Sequence, residues 1–399
     1  MKAISESSQT CGRIFLRRGK DGPVRGNNPW IFSHAIERAE PADMPAGSMV
    51  EVRGGDGGLL GYGHYNPATT IAVRMLGWGG RIAPGEIIES RIKRAIASRA
   101  RIIGADTDCY RLVNGDGDGL SGLVIDRYGD TLVIQLLSAG MDRMRDEIAA
   151  ILCEVARPRA IIERSQGAVR RQEGLAGRLG PIMGEPSSAI VTENGIRIEV
   201  DLAHGQKTGC FLDQRVNRAR FGDLARDARV LDLFCYSGGF TLAALRGGAR
   251  AVTSVDTSER ALGWARRNLE LNGYAQRAEL IHAGAAKFLA DVTEKFDLIV
   301  LDPPPLARSR EHAARAERLY IELNAMAMRA LAPGGNMMTF SCSAHFRGED
   351  FLRAVRIAQT RSGAPLRLLS RLGAGPDHPV LLGHIEGEYL TGFWLGALD

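Results

Sequence analysis

The stretch Val230-Leu-Asp-Leu-Phe-Cys-Tyr-Ser-Gly-Gly-Phe-Thr241 decides the fold. Apolar residues flank Asp232, as at the end of a buried strand. Gly238 and Gly239 then make a tight turn, and Thr241-Leu-Ala-Ala-Leu245 starts a helix. A strand that turns sharply into a helix on glycines lets backbone N–H groups approach a ligand closely. Further on, Ala251-Val-Thr-Ser-Val-Asp256 reads as a second strand ending in an acid, whose carboxylate can accept hydrogen bonds from two ribose hydroxyls. The pair outlines a nucleoside-binding βαβ unit. The same glycines could also serve helix–strand packing alone.

A third strand narrows the choice. Phe296-Asp-Leu-Ile-Val-Leu-Asp302-Pro-Pro-Pro305 is an apolar run that stops at an acid and three prolines. Proline cannot donate to a ladder, so the strand ends there. The prolines stiffen the chain and fix Asp302 at the carboxyl edge of the sheet, where open α/β sheets bind ligands. A dehydrogenase has no use for this element. A methyltransferase that acts on a base needs a group to hold the base edge beside the methyl donor.

The chain has 399 residues, enough for two or three domains, and its 45% hydrophobic content permits real cores. No window approaches a membrane span, and the start lacks the apolar core of a signal peptide, so a cytoplasmic protein is expected. Six cysteines (11, 109, 153, 210, 235, 342) are scattered without a CxxC pair, which argues against zinc and against a disulfide framework. The net charge of +5 is modest and fits a polyanionic partner.

Residues 13–76 read as short strands separated by glycine and proline turns, as in a small barrel. Arg13, Arg17, Arg18, Lys20 and Arg25 precede Asn28-Pro-Trp-Ile-Phe-Ser33. Basic residues beside an exposed aromatic would suit RNA; alternatively, Trp30 and Phe32 plug the barrel core. Residues 81–104 carry a helical period. Tyr110–Tyr128, with its Asp-Gly repeats, lacks the spacing of a calcium loop and reads as a hairpin. Residues 142–156 read as a helix, Ala160–Arg164 as a strand, and 190–202 as a strand into the last domain. Arg164, Arg170 and Arg171 could track phosphates or form a solvated face. Asp213 reads as a helix cap. Ser258 reads as the N-cap, and Asn272-Gly273 as the stop, of another helix. Ala332-Pro-Gly-Gly335 reads as a turn, and Met337–Ser343 as the strand after it.

Several stretches carry a resemblance. Arg17-Arg18 followed by Asn28–Ser33 resembles the PUA domain that opens the ribosomal RNA large-subunit methyltransferase I family, which usually has His where this chain has Asn28. Leu120–Tyr128 is similar to that family's second domain, and Gln206–Arg215 to its segment before the glycine turn. Ser341-Cys-Ser343 is similar to its nucleophile motif, and Asp377–Leu381 also matches. The resemblance implies an α/β protein: a Rossmann-like class I methyltransferase domain (189–399) preceded by a PUA β-barrel (10–80) that binds RNA and a small α+β domain (81–188). It implies S-adenosyl-L-methionine as methyl donor, large-subunit ribosomal RNA as partner and 5-methylcytosine as product. A homodimer is left open.

The family's positions put Lys207, Thr208, Phe211, Asp213 and Gln214 in the donor pocket. They join Asp232, Phe234, Tyr236, Ser237, Gly238, Gly239, Phe240, Asp256, Asp302 and Pro303. An acid that usually holds the adenine amino group is replaced here by Ala283-Gly284-Ala285. Arg308 and Arg310 would touch substrate phosphates, with Arg17, Arg18, Trp30, Arg164, Arg170 and Arg171. A lone cysteine is more often a buried structural residue. Cys342, however, follows a strand one helix after Asp302, and it matches the family's nucleophile. With Pro305 and Leu306 beside the prolines, where other RNA cytosine methyltransferases place a second cysteine, a one-cysteine mechanism is implied. His378 is either a proton shuttle or a loop-ordering residue. Other readings stay open: a guanine methyltransferase with a structural Cys342, or an RNA-binding module with a lapsed active site.

Overall fold

The computed structural model describes residues 12–80, 84–203, 205, 208–306, 313–343, 346 and 348–398. Contacts divide the chain into two units. One holds the chain up to Val191 together with Val200–Leu212 and Pro376–Gly387. The other holds Thr192–Glu199, Asp213–Gly375 and the chain from Glu388.

The second unit is built on a seven-stranded sheet: β1 (Arg229–Leu233), β2 (Ala251–Asp256), β3 (Ala278–His282), β4 (Phe296–Leu301), β5 (Leu331–Ser341), β6 (Leu366–Leu372) and β7 (Thr391–Ala397). The order is β3-β2-β1-β4-β5-β7-β6, and only β7 runs antiparallel to its neighbours. Helices α1 (Gly239–Arg246), α2 (Glu259–Leu271), α3 (Ala285–Asp291), α4 (Ala313–Ala330) and α5 (Glu349–Ser362) connect the strands. β1 and β4 are mostly apolar because both faces are covered; Leu231, Leu233, Ile299 and Leu301 are fully buried. The chain leaves β1 to one side and later returns to lay β4 on the other. The strand order therefore reverses between β1 and β4, the point at which such sheets open a ligand crevice beyond their carboxyl ends.

Local signals explain most boundaries. Ser258 caps α2, its hydroxyl accepting from the Ala261 N–H, and Gly273 (φ +74°) follows the helix end. The Ala332–Gly335 segment is not a turn before its strand. It lies inside β5 as a bulge: Phe296 pairs with Leu331, but Leu298 pairs with Asn336. Residues 190–202 form a hairpin, not one strand: Ser188–Glu193 and Ile196–Asp201 flank Asn194 (φ +47°) and Gly195 (φ +73°). An Asn-Gly pair with both φ values positive is the strongest short hairpin signal.

In the first unit a six-stranded sheet runs from Trp30–Phe32 through Ile71–Trp78, Leu59–Tyr65, Ser48–Arg53 and Gly12–Leu16 to Ile36–Glu40. Its core is Ile14, Leu16, Ile31, Val50, Val52, Val73 and Met75. Trp30 and Phe32 do not plug it. Side chains alternate along a strand, so Ile31 takes the interior, leaving Trp30 half-buried and Phe32 exposed. A five-stranded sheet follows (Arg178–Met183, Ala160–Ser165, Thr131–Leu136, Leu123–Tyr128, Cys109–Asn114) with helices Ile87–Ile102 and Arg145–Val155. The Asp-Gly run becomes a short 3-10 turn between antiparallel strands. Asp118 there is clamped by Arg99, and no cluster among the described residues could hold a metal ion. No helix among the described residues is long and apolar enough to cross a membrane.

Candidate active site

The glycine turn after β1 is tightly wound. Phe234 (φ +66°), Tyr236 (φ +50°) and Gly238 (φ +83°) all sit in the left-handed region. Side chains at the first two positions tolerate it only because the loop is pinned. Phe234 and Cys235 donate their N–H groups to the Val255 carbonyl, and Asn268 Nδ2 donates to the Ser237 carbonyl. Gly239 has a steric reason of its own: a Cβ there would stand 2.9 Å from Arg218 Cδ. Phe240 is buried behind the turn, edge-on to Phe221.

Three acids approach this turn. Asp232 is buried within β1, and its Oδ2 accepts from Thr241 N (3.0 Å) and Thr241 Oγ1 (2.7 Å). Burial pushes its carboxyl up to about 7; the Thr241 bonds oppose the shift, and the negative charges of Asp302 and Asp256 add to it. Asp256, at the end of β2, accepts from Tyr236 N at 2.9 Å and Ser258 N at 2.8 Å, one bond to each oxygen. An ionised carboxylate offers about four acceptor positions. Both oxygens therefore keep capacity for a ribose diol, and the acid fits the nucleoside part of S-adenosylmethionine. Gly284, in the segment after β3, caps α3 with its main chain alone.

Asp302 lies half-buried just beyond β4. Its N–H reaches the Leu233 carbonyl (3.4 Å), and its Oδ2 accepts from Gln214 Nε2 at 3.0 Å. Cys342 lies just beyond β5, the next strand. Ser341 and Ser343 on either side point inward and are fully buried. Their hydroxyls lie 3.0 and 3.2 Å from the Tyr320 hydroxyl, a group whose pKa burial raises. Alternation then turns Cys342 the other way, half-exposed, with Sγ 3.6 Å from the Pro303 carbonyl oxygen. Asp302 and Cys342 are 40 residues apart by number, yet adjacent parallel strands deliver both to the same edge.

Asp213 does not cap the helix Arg215–Asp223. The N-cap is Gln214, which makes no side-chain cap bond, while Asp213 is buried and accepts from the Tyr389 hydroxyl at 2.6 Å. Phe211 is half-buried. Thr208 is buried in the first unit, donating to Asp126 (2.5 Å) and lying 2.9 Å from the Tyr128 hydroxyl. Lys207, Arg308 and Arg310 lie outside the described residues.

The other arginines divide. Arg17, Arg18 and Arg171 are exposed. Arg170 is not on a solvated face: it is buried and donates to the carbonyls of Leu136 and Ala176 and to Asp142. Arg164 binds the carbonyls of Leu202 (3.3 Å) and Gly205 (2.7 Å). Trp30 donates Nε1 to Asp116 (3.2 Å) and packs against His384. Asp377 and His378 are buried in the same unit, where Arg99 and the Arg111 N–H bond Asp377. Sequence reasoning missed Tyr320, Tyr389 and Asn217. Asn217 lies two positions past the end of the matched Gln206–Arg215 motif.

Known proteins agree with this architecture. An S-adenosylmethionine-dependent methyltransferase family model matches residues 178–384, and a PUA-like domain model matches 14–78. Two solved structures share the fold. One, described as a SAM-dependent methyltransferase from Streptococcus mutans, is 21% identical with a TM-score of 0.80, over 96% of this chain and 99% of that one. A methyltransferase complexed with SAH is 22% identical with a TM-score of 0.81 over the same shares. The ribosomal RNA large subunit methyltransferase I of Klebsiella pneumoniae is 38% identical over 96% of this chain and 97% of its own length. That of Photobacterium profundum is also 38% identical, over 95% and 98%. With identity at this level over nearly the whole chain, the chain belongs to the ribosomal RNA large subunit methyltransferase I family, whose methyl donor is S-adenosylmethionine.

Proposed function

We propose that this protein methylates carbon 5 of a cytosine in large-subunit ribosomal RNA, with Cys342 as nucleophile and Asp302 as the residue that holds the base. The observation that supports this reading is the approach of the Cys342 sulfur to the Pro303 carbonyl, one residue from Asp302. Carbon 5 of cytosine is a poor nucleophile. Addition of a thiolate at carbon 6 makes the ring enamine-like, and carbon 5 can then attack an electrophilic methyl group. Asp256 and the turn at Phe234–Phe240 would hold S-adenosylmethionine, which would supply that methyl group as its sulfur–methyl bond breaks and leave as the neutral thioether S-adenosylhomocysteine. Asp302 hydrogen-bonds the pyrimidine edge, at N3 or the exocyclic amine, and so holds the base as charge develops in the ring. Loss of the carbon 5 proton then expels the thiolate and restores the aromatic ring. A base inside folded RNA must leave its stack to reach this edge. The exposed Arg17, Arg18 and Arg171 supply cations for the RNA backbone, with Arg308 and Arg310 as further candidates.

Mass spectrometry of ribosomal RNA nucleosides tests the reading. Cells lacking the protein should lose one 5-methylcytosine, and wild-type protein should restore it. Cys342→Ala should fail to do so, with turnover down by more than about 10³-fold. Intact turnover in that variant would favour a guanine substrate and a structural thiol.

A further inference from the structure

Gln214 is the N-cap of the helix Arg215–Asp223 and Asn217 lies in its first turn; they are buried at 2% and 3% exposure, and their amides form a directed chain. Asn217 Nδ2 faces two oxygens: Gln214 Oε1 at 2.6 Å and the Gly373 carbonyl at 3.0 Å. A primary amide nitrogen carries two N–H donors, and its oxygen carries none. Reversing the Asn217 amide would set oxygen against two oxygens, so its neighbours fix its orientation. Gln214 Oε1 is thereby tied to Asn217, and Gln214 Nε2 is turned onto Asp302 Oδ2 at 3.0 Å. In a buried network a reversed amide has no water to repair it.

We propose that Asn217 is a positioning residue for Asp302. By fixing the polarity of the Gln214 amide, it keeps a hydrogen-bond donor on Oδ2 and so holds the Asp302 side chain in one rotamer. The consequence for catalysis rests on the base-holding role of Asp302 proposed above; the polarity of the relay does not. Asn217→Asp has nearly the same shape but replaces the two donors with acceptors. Gln214 must then turn its Nε2 toward the new carboxylate and its Oε1 toward Asp302. A carboxylate facing an oxygen is stabilised only when protonated.

The test follows the side-chain amide resonance of Gln214 in glutamine-15N-labelled, ligand-free protein through a pH titration, with Gln214→Glu identifying the signal. Asn217→Asp should move the titration midpoint upward by about one pH unit or more. Turnover at neutral pH should fall about tenfold, partly returning at lower pH, while the KM for the donor changes less than about threefold. Asn217→Ala, which frees the Gln214 amide, should give a smaller upward shift and carries the test if the first variant does not fold. A melting temperature that falls with no change of midpoint in either variant would overturn the proposal and leave Asn217 a helix-packing residue. Failure of the cytosine reading would appear separately, as wild-type protein that forms no 5-methylcytosine while the midpoint shift persists.

Discussion

In and around the five-stranded sheet of the first unit, several acids are held by arginine. Arg99 grips Asp118 through bonds of 2.7 and 2.8 Å, and Arg111 grips Asp126 at 2.6 and 3.1 Å. Arg170 holds Asp142 at 2.6 Å, and Arg145 holds Glu163 at 2.7 Å. At the carboxyl rim of the seven-stranded sheet the chemistry differs. Asp232 is bonded by the Thr241 N–H and hydroxyl, Asp256 by two backbone N–H groups, and Asp302 accepts the Gln214 amide. Neutral donors orient a carboxylate but leave its field uncancelled. Where a guanidinium neutralises the acid, the pair serves the fold; where backbone N–H groups orient it, as at Asp256, its oxygens keep room for a ligand. A sulfonium-bearing methyl donor is the kind of cation such a rim favours.

The comparison can be broken at three points. The largest effect belongs to Asp302→Asn, which keeps the shape but removes the charge. Turnover should fall about 10²–10³-fold with the melting temperature nearly unchanged; loss of stability with turnover intact would place Asp302 with the structural acids.

Next comes Arg111→Met, which strands the fully buried Asp126 carboxylate. It should cost about 3–5 kcal/mol of unfolding free energy in the transition of the first unit, read in urea. Arg111→Met combined with Asp126→Leu should recover much of that loss, because the unpaired charge is then gone.

The smallest effect is a pH dependence. Folded protein keeps on Asp232 a proton that the unfolded chain releases near 3.8. Its contribution to stability is therefore whole below that pH and is lost as pH rises toward about 7. A bound cation reverses the preference by stabilising the ionised acid. Calorimetry should show S-adenosylmethionine binding tightening about tenfold from pH 6 to 8, with a weaker trend for the uncharged-sulfur product. Asp232→Asn should flatten the first trend. Equal slopes for donor and product would mean that this acid does not sense the sulfonium.

The rim was largely legible. The strand ends at Asp232, Asp256 and Asp302 were marked by apolar runs, glycines and prolines, signals that act within a few residues. The hairpin at Asn194-Gly195 was legible too, but the alternating pattern of 190–202 outweighed it. Arg164 and Arg170 were misleading for a physical reason. Arginine carries the same charge whether it faces solvent or carbonyl oxygens, and composition does not say which. Trp30 and Phe32 failed as core residues because one residue of register, with Ile31 inward, decides a strand's faces.

Order along the polymer was enough to establish the Rossmann-like architecture, the strand-end acids and the methyl donor, because period, turn chemistry and motif spacing are local. What required the folded chain was the meeting of distant groups: Cys342 against Pro303, Gln214 on Asp302 with Asn217 behind it, and Asp118 and Asp126 with their arginines. Those meetings follow from which strands lie side by side and which way buried amides and guanidinium groups turn. Both depend on sheet order and packing, and neither is written in any short stretch of sequence.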